Sequence, residues 1–404
     1  MDSLTQIILG AATGELVLGK KIGNRAMLWG AVGGTIPDLD VLGGQFLSEI
    51  DNLAFHRGIS HSILFSVLGA FVFGWVVHKL YQSPHHKWFA IISKVFALVL
   101  IIAALNFVLR IFFPGNFIPL LISSIVLVTL LVFHIRKTYL TNQWERPSAS
   151  LTNWQWLFFW SLFTHPLLDC FTTYGTQLFA PFSDYRVAFN TVSVVDFGYT
   201  LPFLLCLLVA AFLGRTTRAR RVWNGVGIAI SSAYLLFTVG NKFYMDQKFE
   251  EAFTKQEIPV ERFTASPTIL NNILWSATLE TDSVYYLGQY SWFDEVPITF
   301  NPVAKGHNLL VNSENDPTIQ TLRWFSKDYY NVMDIDSALQ YNDLRFGTFY
   351  GKGDSPDDFI FNFRLNQQQD GSYKMTEGRA GPKKGGAGTL FKNLMQRIKG
   401  LKKS

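Results

Sequence analysis

The stretch HRGISHS, His56 to Ser62, sets two histidines, an arginine and two serines directly before a long apolar run. Two other stretches have the same character. GTIPDLDVLGG carries Asp38 and Asp40, and FTHPLLDCFTTYG carries His165 and Asp169, four apart and so on one helical face. Ionisable groups in or beside apolar spans are costly and mark functional sites. Imidazole combined with carboxylate suits Zn²⁺, with Mn²⁺ or Fe²⁺ as alternatives. Asp38, Asp40, His56, His61, His165 and Asp169 are therefore the expected metal ligands, enough for one ion or two. Paired ions about 3.5–4 Å apart activate water and stabilise the leaving oxygen of a phosphoester. Arg57, and Arg186 in PFSDYR, are expected to clamp an anionic substrate through their planar fork. Glu15 in GAATGELVLG and Asp196 in VVDFGYTLP are the candidate catalytic carboxylates, Glu15 only if the first segment turns into the site.

Local chemistry suggests how these groups are held. Pro37 ends a helix at Ile36, and in an extended segment Asp38 and Asp40 would point the same way. Gly58 should interrupt the chain so that His56 comes from a loop, with Ser60 capping a helix that begins at His61. Pro166 removes a backbone donor and should kink its helix. His78, His85, His86 and His134 lie away from this group and read as structural.

The elements that must position these residues are largely apolar. The chain has 404 residues, 49% of them hydrophobic. Spanning segments are expected at about 60–80, 89–112, 116–135, 154–171, 194–213 and 222–243, runs near the roughly 20 residues that cross a bilayer. Two shorter Gly/Ala-rich segments, 3–18 and 24–37, should pack closely as short tilted spans or a re-entrant hairpin. The fold class is thus an α-helical polytopic membrane domain of six to eight segments over 1–243. A small external α+β domain over 244–375 and a basic tail over 376–404 follow it.

Positive residues in short loops mark the cytoplasmic side. GRTTRARR, with Arg215, Arg218, Arg220 and Arg221, is the strongest such signal. Lys20, Lys21 and Arg25, then Lys79 and Lys87, then Arg136, Lys137 and Arg146 fall on the same side. The histidine–aspartate stretches and everything after about 244 then face outward, toward the periplasm of a Gram-negative cell. The net charge of +5 is a product of the tail, so nucleic acid is not an expected partner. Cys170 and Cys206 make neither a disulfide framework nor a CxxC site, and no cleavable signal peptide is expected.

DSLTQIILGAATGE, GTIPDLD, HRGISHS, THPLLDCFTTYGT and FSDYR…VVDFGYTLP resemble, in order and spacing, the bacterial inner-membrane metal-dependent hydrolases, some of which are described as LexA-regulated. The resemblance covers about residues 1–243 and implies an inner-membrane protein with divalent-metal hydrolase chemistry. The family's PDxD, HRGxSHS and HxxxD patterns fall on Asp38, Asp40, His56, His61, His165 and Asp169. The chain departs from some relatives by carrying Gln6 where they carry a histidine. The His-x-x-x-Asp pair is also similar to that of zinc-dependent phospholipase C and nuclease enzymes, which points toward phosphoester substrates.

In the C-terminal part, SVYYLGQYSWF, HNLLVNS, LRFGTFYG and DFIFNFRL alternate like antiparallel strands, and PTIQTLRWFSKDYYNV reads as a helix. This domain is expected to act as a lid or partner module. Residues 378–388 read as a linker, and TLFKNLMQRIKGLKKS as either a basic amphipathic helix or a solubilising tail. The expected activity is hydrolysis of an amphiphilic phosphoester, a membrane lipid or lipid-linked phosphate, by metal-activated water. Two other classes use the same residues differently. A metal or ion transporter should continue its polar residues toward the cytoplasm, where only Lys94, Asn106, Ser123 and Ser124 are found within spans. An envelope scaffold should work through its external domain and tolerate loss of His165.

Overall fold

In the computed structural model of the chain, the described residues are 1–404 except 45, 93, 96–97, 100–101, 103–105, 107–116, 142–147, 336–337, 350, 379–385 and 403–404. Two compact units emerge, one formed by Met1–Gly69 with Leu157–Ser404 and the other by Ala70–Trp156.

The larger unit opens with a helical hairpin, α1 (Ser3–Ile22) and α2 (Asn24–Thr35). The Asp2 carboxylate accepts the Thr5 N–H and caps α1, and Gly23, at φ 63°, makes the turn. The two axes meet glycine on glycine. A Cβ on Gly10 would lie 2.3 Å from the Gly30 carbonyl oxygen, and one on Gly14 2.3 Å from that of Ala26. This is the close approach expected of small-residue segments. With α8 (Phe197–Phe212) the hairpin encloses a core of Ile8, Ala11, Ala12, Met27, Tyr199, Phe203 and Leu207.

Beyond α2 the chain makes a 3₁₀ turn, Pro37–Leu39, then short helices α3 (Asp40–Gly44) and α4 (Glu49–Phe55). A second 3₁₀ turn, Ile59–His61, leads into α5 (Ile63–Gln82). α6 is Ile118–Ile135 and α7 is Leu151–Asp169. α7 runs through Pro166 without a break. α9 (Arg218–Lys255) is the longest helix described, at 38 residues. Within the smaller unit Tyr81 stacks on Trp154, ring centroids 5.4 Å apart.

Three helical stretches are long and apolar enough to cross a membrane among the described residues: Ile63–Gln82, Ile118–Thr138 and Arg218–Lys255. That is fewer than the six to eight segments expected from sequence. α8 has 16 residues, about 24 Å at 1.5 Å per residue, short of the roughly 30 Å hydrocarbon core. α1 reaches 20 residues, but Thr5, Gln6, Thr13 and Glu15 dilute it. α7 is interrupted by Asn153, Gln155, Ser161, Thr164 and His165. The segment expected at 89–112 falls largely outside the described residues.

The C-terminal part holds two four-stranded antiparallel sheets, each a simple meander. The first is β1 (Arg262–Pro267), β2 (Leu274–Glu280), β3 (Val284–Ser291) and β4 (Phe300–Ala304). Its Trp275, Ala277 and Leu279 pack on Met245 and Phe249 of α9. The second is β5 (Tyr330–Ile335), β6 (Ala338–Asp343), β7 (Asn362–Gln367) and β8 (Tyr373–Gly378). α10 (Pro317–Ser326) precedes it, capped by Asp316, and buries Ile319, Leu322 and Phe325 against it. Leu53 and Ile50 of α4 complete that core, so this sheet sits on the segment that carries His56.

Several local expectations change here. HNLLVNS forms a 3₁₀ turn, His307–Leu309, instead of a strand, and LRFGTFYG begins with another, Leu344–Phe346. The turn at 344–346 is spent on joining the sheets: Ser266 Oγ and Thr278 Oγ1 donate to the carbonyls of Arg345 and Leu344. The helical pattern from Pro317 stops at Lys327, whose φ of 53° ends α10 before β5. The tail helix is present as α11 (Gly386–Ile398).

Candidate metal centre

His61 and His165 face each other at the centre of the larger unit, Nε2 to Nε2 at 3.1 Å, both fully buried. Each has its other nitrogen committed. His165 Nδ1 donates to the Gly34 carbonyl at 2.6 Å, which requires the proton there and, in the neutral ring, leaves Nε2 as an acceptor. His61 Nδ1 lies 3.0 Å from Ser60 Oγ and 3.3 Å from Asp40 Oδ2. Two carboxylate oxygens complete the ring of acceptors. Asp38 Oδ1 is 3.5 Å from His61 Nε2 and 3.4 Å from His165 Nε2. Asp169 Oδ2 is 3.5 and 3.4 Å from the same atoms. Donors around an ion at about 2.0–2.2 Å sit roughly this far apart, so each carboxylate oxygen has ligand spacing from the two histidine nitrogens. Among the described residues, Asp38, His61 and His165 place one ligand atom each within 4.8 Å of one another.

The buried Asp169 Oδ2 accepts no hydrogen bond among the described residues, and a buried acceptor without a partner is costly. Its other oxygen accepts from Gln6 Nε2 at 3.0 Å and is paired with the Met1 amino nitrogen. Arg57 Nε approaches Oδ2 at 3.4 Å, beyond hydrogen-bonding geometry, while Arg57 Nη1 donates to Thr172 Oγ1. The donor set therefore fits a divalent cation.

Asp38 and Asp40 do not point the same way, because the segment is a 3₁₀ turn rather than extended. They bracket His61, Asp38 at Nε2 and Asp40 at Nδ1. Asp40 accepts from the Arg57 N–H at 3.0 Å and Ser60 Oγ at 2.9 Å, and holds His56 Nδ1 at 2.9 Å. Both of its oxygens are thus occupied in fixing the loop. Burial pushes both carboxyls up, but histidine hydrogen bonds outweigh it. His165 and His61 hold Asp38, and His56 and His61 hold Asp40, below the usual carboxylate range. Asp40→Asn should keep the fold and weaken zinc binding about 10–100-fold, as loss of a histidine-orienting partner does elsewhere. Competition against a calibrated chelator reads this directly, and an unchanged affinity would remove Asp40 from that role.

Ser60 is not the cap that sequence suggested. Its hydroxyl serves Asp40, and Ser62 Oγ accepts the Phe65 N–H at the start of α5. His56 stands at the rim, its side chain 26% exposed and its ring edge-on to Tyr174 at 5.3 Å.

Arg186 is placed as a tie instead of a clamp. Its guanidinium donates to the carbonyls of Tyr174, His56 and Gly175 and lies against the rings of Tyr174, Trp324 and Phe325. Burial lowers it to about 10. Glu15 and Asp196 are not brought to the cluster. Glu15 forms a two-pronged pair with Arg220, at 2.6 and 2.5 Å, and Gly19 leaves room for its carboxylate. Asp196 caps α8 through the Tyr199 N–H and accepts from Tyr234 Oη.

Sequence reasoning missed Gln6, the Gly34 carbonyl and Tyr174 as neighbours of the centre. Only Gln6 left a trace, as the position where a histidine stands in some relatives.

Apolar helices of membrane-crossing length among the described residues, in a chain that also holds a buried histidine–aspartate cluster, mark an integral membrane protein with a polar centre. Residues 1–244 match the family model of the YdjM inner membrane protein, and the chain belongs to that family. No curated protein and no solved structure matches it.

Proposed function

We propose that the protein is a membrane-bound, divalent-metal-dependent hydrolase acting at the external face on a phosphoester of an amphiphilic substrate. The observation that supports this reading is the convergence of His61 Nε2, His165 Nε2, Asp38 Oδ1 and Asp169 Oδ2, ligand atoms that protons on the histidines or a cation between them would hold together. The reading assigns those four residues as ligands of one ion, zinc first, and gives Asp40 and His56 supporting roles. A bound ion would polarise a phosphoryl oxygen and acidify water.

The chain's own groups supply the rest. Arg57 keeps a positive charge beside Asp169 and holds the Thr172 loop. His56, backed by Asp40 at Nδ1 and partly open to solvent, is the group placed to carry a proton to the leaving oxygen. Asp38 is the more open of the two carboxylate ligands, its side chain 17% exposed, so substrate enters from the rim shared by Asp38 and His56.

The external placement rests on charge and contact. The α1–α2 turn, with Lys20, Lys21 and Arg25, lies against the α8–α9 turn, where Arg215 Nη1 donates to the Lys21 carbonyl. Two basic loops thus share the end of the bundle away from the cluster, the end that the positive-inside rule assigns to the cytoplasm. The reading takes the protein as multi-pass, with the C-terminal domain in the periplasm.

The test is metal content by elemental mass spectrometry on detergent-purified protein, followed by phosphate or headgroup release from a panel of phospholipids and lipid phosphates. One ion per chain with metal-dependent release supports the reading. A metal-free protein that cannot rebind added zinc would sink it.

A further inference from the structure

The α11 helix carries its apolar residues Leu390, Phe391, Leu394, Met395 and Ile398 along one side, and none of them is buried. Phe391 is 51% exposed. Lys392 and Lys399 face solvent beside that stripe. Phe391 is exposed and Leu390, Leu394, Met395 and Ile398 are half-buried, so a short helix with a partly open apolar face and flanking lysines has the composition of a segment that lies in a lipid–water interface.

The helix is fastened at one end, and the fastening fixes its level. Arg397 makes a bidentate pair with Asp294, both contacts at 2.7 Å, and donates to the Gln289 carbonyl at 3.0 Å. Ser291 Oγ donates to the Ile398 carbonyl, and Lys402 pairs with Glu295. The loop that receives these bonds also carries Trp292, whose Nε1 donates to Asn241 Oδ1 of α9 at 3.1 Å. The Trp292 ring lies 5.9 Å from those of Phe237 and Tyr244. Phe243, Tyr244, Trp292 and Phe293 are all exposed. The apolar run of α9 gives way to Asn241 and Lys242, so these rings form an aromatic band where a membrane-length helix would leave the hydrocarbon. The C-terminal end of α11 is tied to the loop that carries Trp292 and Phe293.

We propose that α11 docks on the acidic phospholipid headgroups of the membrane that α9 enters. Phe391 and Leu394 would reach into the interface while Lys392 and Lys399 meet phosphate. Charge selects this occupant, because the lysines beside the stripe suit an anionic surface. The proposal stands apart from the metal reading and survives its failure.

The experiment uses the full chain in nanodiscs, with a nitroxide on Phe391→Cys or Gln396→Cys. Cys170 and Cys206 are buried and unpaired, and each is replaced by serine in the background. Oxygen and nickel-chelate accessibility are compared in phosphatidylcholine discs and in discs containing about one third phosphatidylglycerol. The expected result is a label at 391 that is oxygen-accessible and chelate-shielded in acidic discs, with the label at 396 still aqueous. Lys392→Gln should reduce the immersed fraction about fivefold relative to the unimmersed, near the worth of one lysine at an anionic surface. A label at 391 that is aqueous in both discs, or immersed equally in both, overturns the proposal. So does shielding accompanied by spin–spin broadening, which would assign the face to a second copy of the chain.

Discussion

His165→Ala should purify with about a tenth or less of the wild-type metal, since loss of a mere orienting partner already costs about 10–100-fold in affinity. The substitution removes one of four converging donors and also the Nδ1–H that satisfies the Gly34 carbonyl. His61 Nε2 would then face only Asp38 and Asp169. Elemental analysis of wild type and variant, purified side by side without chelator, gives the comparison. Asp196→Asn serves as the reference, because Asp196 caps α8 and pairs with Tyr234 rather than facing the histidines. Equal metal in wild type and His165→Ala would remove this residue from the centre, and equal loss in Asp196→Asn would point to general unfolding.

The second large effect lies at the opposite end of the helices. Arg220→Ala should destabilise the protein by about 3–5 kcal/mol, the usual cost of leaving one partner of a buried ion pair uncompensated. Glu15 and Arg220 side chains are each 2% exposed, and Arg220 also donates to Asn24 Oδ1 and the Leu213 carbonyl. One guanidinium therefore ties α1, α2 and the end of α8. The loss corresponds to a fall of about 10 °C in melting temperature, at roughly 2–4 °C per kcal/mol for a domain of this size. Glu15→Met/Arg220→Met, which leaves no unpaired charge, should recover much of it. A Glu15→Gln variant that melts like wild type yet loses hydrolysis would return Glu15 to the chemistry.

The sequence was most informative where physical constraints are local. His165 and Asp169 share a helical face by spacing alone, and the glycines of α1 and α2 announced a close hairpin. Clustering of the three stretches could be guessed because each stands at the edge of an apolar run. What Asp40 does could not be guessed, since its partners are a backbone N–H and a serine hydroxyl placed by turn geometry. The same limit misplaced Arg186, whose partners are three carbonyls and the aromatic rings of α10 and Tyr174. A cation whose partners are carbonyls and rings from distant segments looks free until the fold surrounds it. The span count was overestimated because an apolar run and a helix of spanning length are separate properties, as the 16 residues of α8 illustrate.

The two halves of the centre are made far apart in time. Asp38, Asp40 and His61 belong to the first 69 residues, whereas His165 and Asp169 follow a separate compact unit, Ala70–Trp156. During synthesis the first half must exist without the second until that whole unit has left the ribosome. His61 and His165 are 104 positions apart, so the ring of donors closes only through a long-range contact that pays its loop entropy late. An ion meeting the nascent chain finds two or three donors, never the full set. On the proposed reading, loading would be deferred to the finished protein, and an inserted but incomplete chain would carry no working centre.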